Sequence, residues 1–370
     1  MKIIIVGAGQ VGTSVAESLV SEENDITVVD PDPQRLSLLQ NRLDLRTIAG
    51  NGAWPSLLRE AGAADADMLI AVTQSDQTNL VACKVAKSVF NLPTTVARLR
   101  ASDFLDSEAL LSAENFAVDH ALCPEEVVTE HIRKLVEFPE ALQVLSFAGG
   151  RVALVAVRAY EGGLLVGKPI KEMRRHLSAD IDARIAAIYR RDRAVLPAGD
   201  SVIQDGDEVF VIAAEEHIRR VMREMRRMTV PVQRVMIAGG GNIGTRVART
   251  LSERYEVKLI ERDAVRCERI ANSLDSTLIL MGDGTDEDLL QQEAIDTMDL
   301  FLALTNNDED NIMAASLAKR LGCKRVVALI NRKVYADLVQ GGPIDIAISP
   351  AQVSIGSLLT RVRRGDVAQV

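Results

Sequence analysis

The sequence contains one pattern twice, in a fixed register. Ile3–Gly12 reads IIIVGAGQVG and Val235–Gly244 reads VMIAGGGNIG, so that the second copy follows the first by 232 residues. The same offset relates Gly50–Gly52 to Gly282–Gly284, well beyond the motif itself. A register that is kept over such a distance indicates internal duplication. Each copy therefore tests any role that is assigned to the other.

Composition is typical of a soluble globular protein with two or three domains, since 47% of the 370 residues are hydrophobic and 26% are charged. The net charge of −9 argues against binding to nucleic acid. The sequence has no apolar run of the roughly 18 residues that span a bilayer, and no signal sequence. We expect a cytoplasmic protein that is peripheral to the inner face of the cell membrane only through a partner.

Short apolar runs alternate with amphipathic stretches in both copies. This order predicts an α/β protein with two Rossmann-like domains, each a doubly wound parallel sheet. Between the copies, period-two runs at 151–157, 183–189 and 208–212 are separated by Gly, Pro and Asp turns, which predicts a small α+β lobe. We predict three domains: a first Rossmann-like domain with its connecting helix at 1–140, the lobe at 141–229, and a second Rossmann-like domain at 230–370 with no lobe after it.

Each copy carries the motif Gly-x-Gly-x-x-Gly between a predicted strand and a predicted helix. An acidic residue closes the next strand, Asp30 in the first copy and Glu261 in the second. This is the dinucleotide-binding fingerprint in the context that it requires. The first glycine permits a tight turn, the second removes a Cβ that would block a pyrophosphate, and the third lets the helix pack on the strand. If the glycines only formed turns, there would be no reason for a strand, a helix and an acidic strand end to accompany them in both copies.

The carboxylates of Asp30 and Glu261 are expected to accept hydrogen bonds from the adenosine ribose hydroxyls. Their negative charge would repel the 2′-phosphate of NADP, so NAD or an adenine nucleotide is favoured. Arg262 follows Glu261 directly. It weakens this exclusion in the second copy, or else lies against the adenine.

Polar and glycine-rich segments follow the third and fourth predicted strands. Thr73–Asp76 and Thr305–Asp308 precede helices, so helix capping explains them, but they would also face a nucleotide at the carboxyl edge of the sheet. Gly50–Gly52 and Gly282–Gly284 fit turn chemistry and a close approach to a ligand about equally well.

Arg98 closes a predicted strand of the first copy, and its counterpart is apolar, either Leu329 or Ile330. A strand-end arginine would reach the phosphates of a second nucleotide moiety. An arginine that faces outwards on an edge strand is an equally good interpretation. The two nucleotide sites are therefore expected to differ.

Residues typical of catalysis are missing from the repeated positions. Hydride transfer usually requires a general acid near the nicotinamide. The four histidines (His120, His131, His176 and His217) have no equivalents in the other copy. The four cysteines are isolated, and no zinc spacing, Gly-x-Ser-x-Gly or phosphate-loop lysine motif is present. We predict no catalytic residues and no metal site.

With these motifs in view, the chain resembles the family of potassium-transport nucleotide-binding domains, also described as regulators of potassium conductance (RCK). The residues that carry the resemblance are found throughout the chain: Gly7–Gly12, Asp65–Thr73, Gly239–Gly244, Asn311–Lys319 and Asp345–Pro350, with Gly167–Ile170 and Gly206–Val209 in the lobe. Members of the family have a lobe after each nucleotide domain, and the second is not present in this sequence.

The resemblance implies a non-catalytic regulatory subunit that binds NAD(H) and ATP or ADP. It also implies a homo-oligomer, a tetrameric ring or dimer of dimers, that docks on a potassium-translocating membrane subunit of the TrkH type. The positions that the family uses for the nucleotide correspond here to Gly7, Ala8, Gly9, Gln10, Val11, Gly12, Asp30, Thr73, Gln74 and Arg98 in the first copy, and to Gly239, Gly240, Gly241, Asn242, Ile243, Gly244, Glu261, Thr305 and Asn306 in the second.

Two other functions stay open at this point. The first alternative is an NAD-dependent oxidoreductase with duplicated cofactor domains. The second is the gating domain of a potassium efflux system or ion channel. The absence of a membrane span in the sequence argues against fusion to a channel but says little about an efflux partner.

Overall fold

The computed structural model describes residues 1–20, 24–191, 193–225, 231–339, 342 and 344–362. The chain divides into two compact units. The first contains Met1–Val127 together with the helix that begins at Pro350, and the second contains Val128–Ser349.

The first unit contains a six-stranded parallel sheet in the order β3-β2-β1-β4-β5-β6. Its strands are β1 (Lys2–Val6), β2 (Asp25–Asp30), β3 (Arg46–Ala49), β4 (Met68–Ala71), β5 (Thr94–Arg98) and β6 (His120–Leu122). The connecting helices are α1 (Gln10–Val20), α2 (Pro33–Gln40), α3 (Pro55–Glu60), α4 (Asp76–Phe90), α5 (Ser102–Leu105) and α6 (Glu108–Leu111), and α7 (Pro124–Glu137) follows β6.

Helices cover both faces of this sheet, which is why its central strands are continuous apolar runs. Along β1, Ile3 and Ile5 pack into one core while Ile4 and Val6 pack into a separate core on the opposite face. Side chains alternate between the two faces of a strand, so a strand that is buried on both sides needs apolar residues at every position.

The lobe contains a five-stranded antiparallel sheet in the order β10-β9-β11-β8-β7. Its strands are β7 (Ala141–Phe147), β8 (Val152–Arg158), β9 (Ala183–Arg190), β10 (Arg193–Val195) and β11 (Glu208–Ala214). Two short helices, α8 (Met173–His176) and α9 (Ile218–Met222), pack with it around one apolar core.

The second parallel sheet repeats the topology of the first, in the order β14-β13-β12-β15-β16-β17. Its strands are β12 (Arg234–Ala238), β13 (Glu256–Glu261), β14 (Thr277–Met281), β15 (Leu300–Ala303), β16 (Val326–Leu329) and β17 (Ile346–Ile348). The helices of this copy are α10 (Asn242–Leu251), α11 (Ala264–Ala271), α12 (Glu287–Gln292), α13 (Asp308–Arg320), α14 (Lys333–Val339) and α15 (Pro350–Val362).

The last helix of each copy groups with the other unit. Helix α15 follows β17, yet it packs against α1 and β6 in the first unit, where Ile355 joins the core. From Val128 onwards α7 belongs to the second unit, where Ile132 and Leu135 line an apolar recess together with Leu302 of β15. Both helices begin at a proline.

The predicted fold class is confirmed: two Rossmann-like parallel sheets with an antiparallel α+β lobe between them in sequence. The structure differs from the sequence prediction in detail. The sequence predicts a helix over 215–228, but the described part of this segment forms a 3₁₀ turn at Glu215–His217 and the short α9. Residues 226–230 lie outside the described part of the chain. Within the described part, no helix is both long enough and apolar enough to cross a bilayer.

An aspartate fixes the last strand of each parallel sheet. The Asp119 carboxylate accepts the Thr95 N–H at 2.7 Å and lies 2.8 Å from Lys87 Nζ. Burial alone would raise the pKa of this carboxyl, but the hydrogen bonds from Lys87 and Thr95 hold the pKa of Asp119 below its ordinary value. Asp345 and Lys319 repeat the pair at 2.8 Å in the second copy.

Replacing Asp119 by alanine is expected to lower the free energy of unfolding at neutral pH by about 1 kcal/mol, because a partly exposed ion pair and a strand hydrogen bond are lost. The lowered pKa gives the sign of the pH dependence. The stabilisation is complete above the unfolded pKa, about 4, and is lost as pH falls through the folded pKa. Urea denaturation of wild type and Asp119→Ala should therefore give different curves at neutral pH that converge in acid. The exposed Asp103→Ala is the control, and a difference that persists unchanged in acid would contradict the assignment.

Candidate functional site

The glycine loops join the first strand to the first helix in each copy. Gly7 and Gly239 have φ values of 111° and 110°, a region that side chains rarely adopt. A Cβ on Gly12 would lie 1.8 Å from the Gly7 carbonyl oxygen, and one on Gly244 would lie 1.9 Å from that of Gly239. The first and third glycines of each motif are therefore required by the turn and by the packing of the helix on the strand.

The second glycine of each motif has a different environment. A Cβ built on Gly9 or Gly241 would meet nothing within 4 Å. Neither position needs glycine for the packing of the described chain, and neither has a φ in the left-handed region. The space beside the loop is open at the point where a pyrophosphate would approach the N-terminus of α1 or α10. This geometry fits a bound dinucleotide, and the protein fold alone does not account for it.

The acidic residues at the ends of β2 and β13 are buried and are bonded to the backbone. Asp30 is 5% exposed and accepts the Ala8 N–H at 2.6 Å, and Glu261 is 6% exposed and accepts the Gly240 N–H at 2.8 Å. Each also accepts an N–H two residues further along the chain at 2.9 Å. A carboxylate has about four acceptor positions, so ribose contacts are compatible with these bonds. The role of both residues as ribose acceptors stays a prediction.

An asparagine organises the loop after the fourth strand of each sheet. Asn79 is fully buried, and its Oδ1 accepts both the N–H and the hydroxyl of Thr73, at 2.9 and 2.7 Å. Its Nδ2 donates to the Arg98 carbonyl at 2.8 Å, which ties the ends of β4 and β5 together. Asn311 makes the same bonds to Thr305 and to the neighbouring strand in the second copy.

An aspartate at the start of the following helix holds the next loop. The Asp76 carboxylate accepts the N–H groups of Arg100 and Ala101 at 2.9 Å, and Asp308 accepts those of Asn331 and Arg332. From the sequence, the segments that contain Asp76 and Asp308 are explained as helix caps, and these roles are not separated. The caps themselves are Ser75 and Asn307. The sequence does carry a signal for these residues: Asn79 and Asn311 are separated by 232 residues, as are Asp76 and Asp308.

Two predicted nucleotide contacts are exposed beside these buried groups. Gln74 and Asn306 lie immediately after the threonines, at the carboxyl edge of their sheets. The remaining loop positions predicted from the resemblance are Ala8, Gln10 and Val11 in the first loop and Gly240, Asn242 and Ile243 in the second, at the start of α1 and α10. The structure brings each predicted set together at one sheet edge, and their contacts with a nucleotide stay predictions.

Arg98 distinguishes the first cleft from the second. It ends β5, and the shared pairing of Ala97 with β4 and of Ala328 with β15 makes Leu329 its counterpart. Among the described residues, Arg98 Nε is buried and has no hydrogen-bond partner. Burial lowers the pKa of Arg98, while nearby Glu125 opposes this effect. A buried guanidinium nitrogen without an acceptor fits an anionic ligand.

The glycines after the third strand are explained by packing. A Cβ on Gly52 would lie 2.3 Å from Val6 Cγ1, and one on Gly284 would lie 2.6 Å from the Cβ of Ala238. These glycines let the loop cross the end of the central strand. This packing contact is neither of the two interpretations that the sequence left open, turn chemistry and a close approach to a ligand.

None of the four histidines lies in a glycine loop. His131 is on α7, where burial and nearby Lys134 lower its pKa to about 4. His176 Nδ1 lies 2.7 Å from Glu224 Oε2 in the lobe. His120 starts β6 rather than ending it. Within the described residues, no group of three or more His, Cys, Asp or Glu side chains is arranged to hold a metal ion.

Substitution by alanine should affect the free energy of unfolding very differently at the third and the second glycine of each motif. Gly12→Ala places a Cβ against a backbone oxygen and should lower the free energy of unfolding by about 3 kcal/mol or more. Gly9→Ala enters open space and should change it by less than about 0.5 kcal/mol. Gly244→Ala and Gly241→Ala are the matched pair in the second copy. Urea denaturation measures all four, and equal losses for Gly9→Ala and Gly12→Ala would contradict the open cleft.

Comparison with known proteins follows the same division of the chain. The TrkA-N domain model matches residues 3–124 and again 235–350, and the TrkA-C domain model matches residues 154–226. The Trk system potassium uptake protein TrkA of Halomonas elongata is 55% identical over 370 residues, which cover all of this chain and 81% of the relative. The TrkA protein of Vibrio alginolyticus is 52% identical over 371 residues, with the same coverage.

Solved structures share the fold at low sequence identity. The GsuK RCK domain matches with a TM-score of 0.70 and 17% identity, covering 97% of this chain and 76% of that one. The GsuK channel bound to NAD matches with a TM-score of 0.70 and 18% identity, covering 97% and 63%. Both TrkA domain models match, and relatives with 52–55% sequence identity align with the whole chain. The chain therefore belongs to the family of Trk system potassium uptake proteins TrkA.

Proposed function

We propose that the chain is a non-catalytic regulatory subunit of a bacterial potassium uptake system. It binds NAD(H) and ATP or ADP in its two Rossmann clefts and controls a potassium-translocating membrane subunit of the TrkH type. The observation that carries this proposal is the open space beside Gly9 and Gly241, which lies where a pyrophosphate approaches in each copy. The family membership supplies the potassium-uptake context.

The first cleft is the better candidate for a dinucleotide. Arg98 ends β5 with a buried Nε that has no acceptor among the residues that the structure describes, so it suits a phosphate or another polar group beyond the adenosine half. Leu329 at the corresponding position offers no such donor. The GsuK structures include one bound to NAD and one bound to ADP, which supports both ligand types for this fold.

The polar groups at the cleft edges are already used to hold the backbone. Asn79 and Asp76 are bonded to neighbouring loops in the first copy, as are Asn311 and Asp308 in the second. Such groups fix the positions of loops and are poor general acids. This arrangement supports a regulatory role, because a ligand that bridges these loops links them to one another without a reaction.

The mechanism requires two states of the assembly. Nucleotide in a cleft biases the arrangement of neighbouring domains in a homo-oligomeric ring or dimer of dimers, and the membrane subunit responds to that arrangement. A ligand shifts such an equilibrium only by its differential affinity for the two states. Attachment to the inner face of the membrane then occurs through the partner.

Calorimetric titration of NADH tests the first cleft. Gly9→Ala should weaken binding there by at least about tenfold, roughly 1.4 kcal/mol, because the new Cβ occupies the pyrophosphate space. Arg98→Met keeps the apolar stem and should also weaken binding by about tenfold or more. The exposed Arg42→Ala is the control for loss of an arginine. Unchanged NADH affinity in both Gly9→Ala and Gly241→Ala would contradict the proposed clefts.

Potassium flux into proteoliposomes that contain the membrane subunit tests the regulatory role. Added protein should make flux respond to nucleotide, and the Gly9→Ala and Gly241→Ala double variant should remove that response while it keeps its unfolding midpoint. The absorbance of NADH at about 340 nm, followed with a panel of carbonyl compounds, should stay constant. Substrate-dependent oxidation of NADH would instead support the oxidoreductase.

A further inference from the structure

The two clefts differ at the end where the adenosine ribose is expected. In the first cleft Asp30 is followed by Pro31, and among the described residues no lysine or arginine forms an ion pair with Asp30. In the second cleft Glu261 is followed by Arg262. Arg266 Nη1 also lies 3.5 Å from Glu261 Oε2. The same structural position is therefore an uncompensated carboxylate in one copy and an ion-paired carboxylate in the other.

Arg266 has a counterpart in the first copy, but the counterpart has another partner. Arg35 holds the same place on α2 that Arg266 holds on α11, five residues after the acidic strand end. Arg35 pairs with Asp32 at 3.2 Å and not with Asp30. The orientation of this arginine, and not merely its presence, separates the two clefts.

Arg262 supplies a second cation beside Glu261. Its side chain is 68% exposed, and its ion pair with Asp310 has a separation of 3.8 Å. An exposed pair at this distance contributes little, so the guanidinium is available to another anion. In the first copy Pro31 stands in its place, and Thr78 stands in place of Asp310.

Phosphate at the ribose 2′-position is the anion that this arrangement suits. An acidic residue at the end of the second strand normally rejects a 2′-phosphate by charge repulsion, while an arginine nearby accommodates it. Guanidinium groups bind phosphate oxygens through paired hydrogen bonds, which partly offset the repulsion from Glu261. In the first cleft, no described lysine or arginine forms an ion pair with the Asp30 carboxylate.

Resting on the nucleotide-binding function proposed above, we propose that the second cleft accepts a 2′-phosphorylated adenosine nucleotide of the NADPH type, whereas the first cleft rejects it. The second cleft then senses a different part of the nucleotide pool from the first. Its discrimination between NADH and NADPH is set by Arg262 and Arg266.

The experiment uses the full chain with one cleft blocked at a time. Gly241→Ala blocks the second cleft, so that only the first is titrated, and Gly9→Ala blocks the first, so that only the second is titrated. NADH and NADPH are then titrated into each variant by calorimetry. The first cleft should bind NADPH at least about 100-fold more weakly than NADH, and the second less than about tenfold more weakly.

Arginine variants then test the cause of the difference. In the Gly9→Ala background, Arg266→Gln should weaken NADPH by about tenfold and change NADH by less than about threefold. Arg35→Gln in the Gly241→Ala background is the matched control and should change neither ligand. A thermal unfolding midpoint for each variant confirms that it is folded.

The outcomes distinguish the two proposals. If NADH binds neither blocked variant, the nucleotide-binding function fails and the present inference fails with it. If NADH binds both but NADPH is rejected equally in both clefts, the nucleotide-binding function stands and the inference is overturned. Equal weakening of NADH and NADPH by Arg266→Gln would also overturn it, because Arg266 would then only stabilise the loop.

Discussion

Each nucleotide domain depends on the contact between a glycine on its first helix and the carbonyl oxygen of the glycine that follows the first strand. Gly12 passes so close to Gly7 that a Cβ would lie 1.8 Å from the oxygen, and Gly244 repeats this with Gly239 at 1.9 Å. No other residue type allows this approach, so the helix N-terminus is held directly above the sheet edge. The open space beside the second glycine of each motif is a consequence of that geometry.

Buried polar side chains then fix the other loops around this contact. The carboxylate of Asp30 holds the first glycine loop, Asn79 joins β4 to β5, and Asp76 holds the loop after β5. Buried side chains that are hydrogen-bonded to the backbone favour one arrangement of these loops. A ligand that contacts several of these loops would therefore act on a pre-organised edge, which suits a protein that reports occupancy and does not transform its ligand.

The sequence alone predicts the two doubly wound parallel sheets, the doubled glycine motif and the asymmetry at Arg98, because they follow from alternation, spacing and the comparison of the two copies. It does not predict that α15 packs in the first unit, since an amphipathic helix gives no information about which sheet receives it. The second function of Asp30 is also missed. A ribose acceptor and a backbone acceptor have the same sequence signature, and only the 2.6 Å contact with Ala8 separates them.

The central claim is that both clefts hold a nucleotide against the glycine loops. A crystal structure of the full chain grown with NADH and ATP tests it most directly. We predict ligand phosphates within hydrogen-bond distance of the backbone N–H groups at the start of α1 and α10, with adenosine riboses beside Asp30 and Glu261. Two clefts that stay empty at saturating ligand, or that are closed by the protein's own side chains, would contradict the account.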